Sequence, residues 1–192
     1  MEQIDLNKDI DAAVRVLDDG GVVLYPTDTV WGIGCDACNP AAVEKVYRIK
    51  NRPDSKALIT LVGSVGDLHR WVEDVPPVAG EMIAASERPV TVVFDKGRGL
   101  APNLLAADGS VGLRVTSELY SRALCERLGR PVVSTSANVS GEPSPAFYAE
   151  ISPEILSRVD YVASFRRDDT VPRQPSKVVK ISSDGTVKIL RS

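Results

Sequence analysis

The sequence predicts an α/β fold. Short apolar runs alternate with segments whose apolar residues recur at helical spacing, and cap or turn residues separate the two kinds. At 192 residues the chain is long enough to bury a substantial core without disulfides or metals, and that length favours one domain spanning 1–192.

The elements follow in order. Residues 8–18 read as a helix with Ile10, Ala13, Val14 and Leu17 on one face and Gly20 as its stop. Gly21 to Tyr25 is a short apolar strand. Asn39-Pro40 is an N-cap and N1 pair, with Val43, Val46 and Tyr47 following at helical spacing. Ala57 to Val62 is a strand, and Ser64 caps a helix through Trp71. Pro76-Pro77 breaks the chain before a helix near 78–86. Val90 to Phe94 and Ser110 to Val115 are strands joined by a surface loop containing Gly97, Gly99, Pro102 and Gly109. Ser117 to Leu128 is a helix closed by Gly129, and Val132 to Ser134 is a buried strand. After a helix near 147–157, Lys177 to Ile181 and Thr186 to Leu190 form a hairpin around Ser183-Asp184-Gly185. Residues 164–176 form a long polar loop, and such loops often serve as lids.

Composition excludes several classes. No apolar run approaches the roughly 18–20 residues of a membrane helix. Met1-Glu2-Gln3-Ile4-Asp5 lacks the basic and apolar regions of a signal peptide, so a cytoplasmic protein is expected. A formal charge of −3 argues against wholesale nucleic-acid coating but leaves room for a local patch. Residues 44–56 supply one, with Lys45, Arg48, Lys50, Arg52 and Lys56 against Glu44 and Asp54, a net +3. By itself such a run reads equally as a solvated helix face.

Cys35-Asp36-Ala37-Cys38 has no second pair for zinc, and it is loosely placed for a thioredoxin-like site. Gly32-Ile33-Gly34-Cys35-Asp36-Ala37 matches a dinucleotide fingerprint, but the intervening 26–31 segment and the late Pro40 spoil the strand-to-helix junction that the fingerprint needs. There is no P-loop. His69, the one histidine, lies on a predicted helix and supports no catalytic triad.

Three features carry more chemistry. Lys50-Asn51-Arg52-Pro53 sets two cations two residues apart at a helix end that Pro53 stops. Ser136-Ala137-Asn138-Val139-Ser140-Gly141 follows an apolar run with short hydroxyl and amide donors, so together the two strings describe a polyphosphate cleft. The Pro26-Thr27-Asp28-Thr29 turn comes directly off a strand end, where open α/β sheets place ligands, although such turns more often satisfy their own backbone. Arg114, in an otherwise apolar strand, is a cation that must be paired or used.

Taken together and in this order, these pieces resemble the YrdC/TsaC family, the enzymes that make threonylcarbamoyl-AMP for modification of the adenosine beside the anticodon of ANN-decoding tRNAs. The likeness rests on Pro26-Thr27-Asp28-Thr29-Val30-Trp31-Gly32, Lys50-Asn51-Arg52-Pro53, Arg114-Val115 and Ser134-Thr135-Ser136-Ala137-Asn138-Val139-Ser140-Gly141, and it runs from about residue 8 to Arg191, the short form of the family. It implies a YrdC-like domain: a twisted, mixed open sheet with flanking helices and a concave basic cleft. It also implies a reaction of L-threonine, bicarbonate or CO2 and ATP giving threonylcarbamoyl-AMP and pyrophosphate.

Carried across by position, the resemblance has Thr29, Arg114 and Ser134 holding threonine, with the guanidinium on its carboxylate. Lys50, Arg52, Ser110, Ser136, Asn138, Ser144 and Arg191 would surround ATP, with Lys50 and Arg52 as the catalytic cations. Magnesium would be held mainly by phosphates and water, with no protein ligand set. The implied partners are a downstream threonylcarbamoyl transferase and tRNA bound weakly at the basic cleft, with no membrane. The main rival reading is a non-catalytic RNA-binding or regulatory paralogue, and a second is a carbamoyl-adenylate-forming module with another acceptor. The sequence departs from the family pattern at Glu87-Arg88-Pro89, at Lys56-Ala57, at Leu61 in place of a histidine and at Lys177 in place of a threonine.

Overall fold

A computed structural model describes residues 5–51 and 58–192. The chain runs α1 (Leu6–Asp18), β1 (Val23–Tyr25), β2 (Gly32–Gly34), α2 (Pro40–Ile49), β3 (Ile59–Val62), α3 (Leu68–Trp71), α4 (Pro77–Ala85), β4 (Val90–Phe94), β5 (Val111–Val115), α5 (Leu119–Leu128), β6 (Val132–Ser136), α6 (Pro153–Arg158), β7 (Tyr161–Val162), β8 (Lys177–Ile181) and β9 (Val187–Arg191). The strands form one mixed, nine-stranded open sheet in the order β7-β1-β2-β6-β3-β5-β4-β8-β9. Helices flank it, as the α/β expectation requires. Among the described residues no helix is long and apolar enough to cross a membrane.

Local chemistry explains most boundaries. Asp5 caps α1, its carboxylate accepting from Lys8 N, and Ile10, Ala13 and Leu17 form the buried stripe. Asn39 Oδ1 accepts from Ala41 N and Ala42 N at the start of α2, with Pro40 in the first turn. Gly129 ends α5 at φ 67, a left-handed position that glycine takes without steric cost. α1 packs on α5, and both cover the sheet. Each fully buried Leu or Ile, such as Leu17, Leu24 and Ile33, contributes about 1.5–3 kcal/mol.

Four expectations change. The helix expected from Ser64 to Trp71 is only Leu68–Trp71. Ser64 Oγ instead donates to Asp67 Oδ2 and accepts from Asp67 N, so the serine makes a turn in place of a helix start. The helix near 147–157 is split into a 3-10 turn, Tyr148–Glu150, and α6. Pro153 forces Ser152 into an extended conformation, φ −62 and ψ 144, and Ser152 then caps α6.

β2 and β7 are strands that the pattern did not announce. β2 fits only because its two ends are glycine. A Cβ at Gly34 would lie 1.9 Å from Val133 O and 2.9 Å from Tyr25 Cε1. The absent side chain lets the buried Tyr25 ring cross β2 and donate its hydroxyl to Val133 O at 2.9 Å.

Candidate functional site

Register across the middle of the sheet builds the floor of a cleft. Arg114 on β5 lies opposite Leu61 on β3 and Thr91 on β4, Ser134 on β6 lies opposite Ile59, and Ser136 lies opposite Gly32 on β2. Directly opposed residues share a face, so one side of the sheet presents Arg114, Ser134, Ser136 and Gly32 together. Above them is a cleft of about 600 Å³, lined also by Thr29, Trp31, Ser144, Arg173, Ser176 and Arg191. Its described lining holds three arginines and no carboxylate, which makes it basic although the whole chain is acidic.

At one end is a hydroxyl pocket. The turn after β1 closes on itself: Thr27 Oγ1 donates to Val30 O at 2.7 Å, accepts from Thr29 N at 3.0 Å and lies 3.1 Å from Thr29 Oγ1. This is the ST turn that the residues allowed, and it also buries Thr29 at the cleft wall. Gly32 keeps the pocket open, since a Cβ there would come within 3.0 Å of Ser134 Oγ and 3.3 Å of Thr27 Cγ2.

Arg114 is paired. Its Nη2 lies 3.1 Å from Asp28 Oδ1, and both side chains are almost completely buried. Burial pulls the Arg114 guanidinium below its ordinary range against the pull of Asp28, and it pushes the Asp28 carboxyl up despite Arg114. Arg114 Nε is buried without a hydrogen-bond partner. The guanidinium therefore has one counter-charge and spare donor capacity at the cleft floor. Asp28 Oδ1 is likewise buried without a hydrogen-bond partner, so the two form an ion contact and not a hydrogen bond.

The Ser/Asn loop is held from beneath. Lys50, 1% exposed, donates Nζ to Ser136 O at 2.5 Å and to Asn138 O at 2.6 Å. Its own carbonyl accepts from Ser140 N. Asn138 turns inward, donating Nδ2 to Val139 O and Glu142 O and accepting from Ser136 Oγ. Lys50 and Asn138 thus shape the loop, while Ser136 and Ser144 line the cleft. Arg52, Pro53 and Lys56 lie outside the described residues.

Ser110 is separated from the others. It immediately precedes β5 (Val111–Val115), at the end opposite Arg114 and roughly 13 Å from it at the rise of a strand. Its backbone closes a turn there, with Ser110 N donating to Asp108 Oδ1 and Ser110 O accepting from Ala106 N. Ser110 is not among the residues that line the cleft.

The polar 164–176 segment borders the cleft. Asp9, buried in α1, anchors its root by accepting from Ser164 N and Phe165 N. Arg166, at φ 62, reaches Thr27 O, Glu118 and Asp169. At the far end Arg191 donates to Ser176 O from both Nε and Nη2, and Arg88 Nη2 donates to Pro175 O. Trp31 stands against Tyr148, ring centroids 5.0 Å apart, on another wall.

Asp28, Trp31, Arg173 and Ser176 are site residues missing from the sequence-based set. The first two lie inside the quoted 26–32 motif, the only signal that could have found them. Among the described residues no group of three or more His, Cys, Asp or Glu is placed to hold a metal. Burial pushes the Cys38 thiol up to about 11, so it is no thiolate at neutral pH.

Comparison with known proteins agrees with this fold. The family model Sua5/YciO/YrdC, described as telomere recombination, matches residues 15–192. A threonylcarbamoyl-AMP synthase of Xanthomonas campestris pv. campestris is 36% identical over 159 residues, covering 80% of this chain and 84% of that protein. The crystal structure of Escherichia coli YciO superposes with a TM-score of 0.83 at 26% identity, covering 99% of this chain and 91% of YciO. A variant of Pyrococcus abyssi Sua5 gives 0.85 at 26% identity, and there the chain spans 57% of the longer protein.

Proposed function

The chain belongs to the Sua5/YciO/YrdC family, and from that premise we propose that it is a threonylcarbamoyl-AMP synthase acting in tRNA modification. The observation that carries this reading is Arg114: a buried guanidinium with spare donor capacity, beside Thr29 and Ser134 in a cleft whose other described cations are Arg173 and Arg191. Such a cleft suits a small carboxylate at the floor and a polyphosphate above it.

In the proposed reaction the threonine amine adds to CO2 and loses a proton, giving a carbamate. A carbamate oxygen then bonds to the α-phosphorus of ATP while the bond from that phosphorus to the bridging oxygen breaks. Pyrophosphate leaves with the electron pair. No enzyme nucleophile is needed, so the protein's task is to position the reactants and offset charge. Arg114 would take the threonine carboxylate, with Thr29 and Ser134 reading its hydroxyl. Ser136, Ser144 and Arg191 would fix phosphate oxygens.

Lys50 would act through the loop carbonyls it holds and through its charge beneath them. Arg52 keeps the leaving-group role that the Lys-x-Arg spacing suggests. Magnesium would arrive with the nucleotide. The lining offers it hydroxyls and no carboxylate, a donor set that leaves its coordination to phosphate oxygens and water.

The basic lining also suits a second reading, a non-catalytic RNA-binding or regulatory relative that uses the same hollow. Pyrophosphate release from ATP, measured with threonine and bicarbonate omitted in turn, separates the two. The synthase requires both; a binder releases none under any condition.

A further inference from the structure

Asp169 has two cationic partners where one would balance its charge. Its Oδ2 accepts from Arg166 Nε at 2.9 Å and lies 2.8 Å from Arg166 Nη2, and it also accepts from Arg173 Nη2 at 2.8 Å. Oδ1 accepts from Val171 N at 2.9 Å. The two arginines differ in what else they hold. Arg166 is 17% exposed and also contacts Glu118 and Thr27 O, so it is tied to the protein floor whatever Arg173 does. Arg173 is 33% exposed, lines the 600 Å³ cleft, and hangs from a segment rooted at both ends. Asp169 would keep Arg166 and its backbone donor if Arg173 left.

The rest of the polar lining offers the uncharged hydroxyls of Ser136 and Ser144, which alone cannot offset a triphosphate, and Arg191, whose Nε and Nη2 already donate to Ser176 O. At the floor, Arg114 already has Asp28 as its counter-charge. A polyphosphate entering the cleft therefore meets in Arg173 an exposed guanidinium whose present ion-pair partner is shared.

We propose that Arg173 is a polyphosphate-binding residue, held at the cleft rim by Asp169 and transferred to the phosphate chain when it binds. Arg173 moves from one oxyanion to another, so the exchange costs little charge separation, and Asp169 sets the threshold. This rests on the cleft being the ATP site, although it does not require that the bound ATP be turned over.

The test is calorimetric titration of magnesium-ATP and of inorganic tripolyphosphate into wild type, Arg173→Ala, Arg173→Lys and Asp169→Asn, with thermal melts confirming that each is folded. Arg173→Ala should weaken both ligands by about ten- to a hundredfold, the range for a charge-assisted hydrogen bond, and Arg173→Lys should lose less. Asp169→Asn should bind both ligands more tightly than wild type, because the competing carboxylate is gone. Tripolyphosphate should also protect the Arg173–Gln174 bond from trypsin, and threonine alone should not.

Unchanged binding by Arg173→Ala overturns the assignment. So does a loss in Asp169→Asn as large as that in Arg173→Ala, since both residues would then merely brace the segment. Wild type that binds neither ligand overturns this assignment and the ATP site together. Binding that follows the expected order without threonine-dependent pyrophosphate release overturns only the synthase reading.

Discussion

Asp28→Asn isolates the central electrostatic feature of the cleft. The substitution keeps shape and removes one charge from a pair whose side chains are 4% and 8% exposed. At 3.1 Å and an effective dielectric near 20, the pair's attraction is about 5 kcal/mol. Desolvation of the two ions offsets most of it, so the intact pair contributes little net stability. Breaking it is another matter, because Arg114 is left buried without a counter-charge, at a cost of about 3–5 kcal/mol. For a chain of 192 residues that is a fall of about 6–20 °C in melting temperature.

Replacing both partners, Asp28→Asn with Arg114→Met, should recover much of the loss, since no charge then remains buried. L-threonine should stabilise the single variant more than wild type, its carboxylate supplying the missing charge. Calorimetric melts of wild type, the two single variants and the double variant close the cycle. A single variant melting within 2 °C of wild type, or a double variant whose loss equals the sum of the singles, would refute the pairing argument.

Three further outcomes follow from other residues. Lys50→Ala should cut pyrophosphate release by about 10²–10³ and also lower stability by about 1–3 kcal/mol, because the carbonyls of Ser136 and Asn138 lose their buried donor. Normal turnover and melting together would move the phosphate site elsewhere. Gly34→Ala should destabilise by about 1–3 kcal/mol or more through overpacking, since its Cβ would meet Val133 O at 1.9 Å; a denaturant melt checks this.

The third outcome concerns pH. Asp169 is held down at about 2, chiefly by the Val171 N–H and then by Arg173, below its ordinary 3.8. A depressed carboxylate stabilises the fold above its unfolded value and loses that contribution as pH falls. The stability difference between wild type and Asp169→Asn should therefore shrink between pH 4 and pH 2, and a constant difference across that range would contradict the assignment.

The helices were legible where their ends are chemical. Asn39-Pro40 and Gly129 mark boundaries through caps and backbone permissiveness, which are local. β2 was not legible, because it is only three residues long and its two glycines lack β-propensity; its strand state is imposed by neighbours on both sides. The same divide runs through the site. Thr29, Arg114, Ser134, Ser136, Ser144 and Arg191 do meet in one cleft.

What their types could not convey is where each polar group points. Lys50 reads as an exposed helix-end cation, yet its amine faces carbonyls 86 and 88 positions away. Asp28 looks like a turn residue, but its partner is on β5. Ser110 precedes β5 and Arg114 lies near its far end, so the direction of the strand carries them apart.

The most direct measurement is incorporation of ¹⁴C from bicarbonate into a product that also contains AMP, with purified protein, magnesium-ATP and L-threonine. A labelled adenylate should appear only when threonine is present, disappear in Arg114→Met, and form in proportion to pyrophosphate released. Valine in place of threonine should give much less product, because Thr29 and Ser134 would have no hydroxyl to read. Pyrophosphate released without label in the adenylate, or no product with any amino acid from a protein that binds ATP, would contradict the synthase reading.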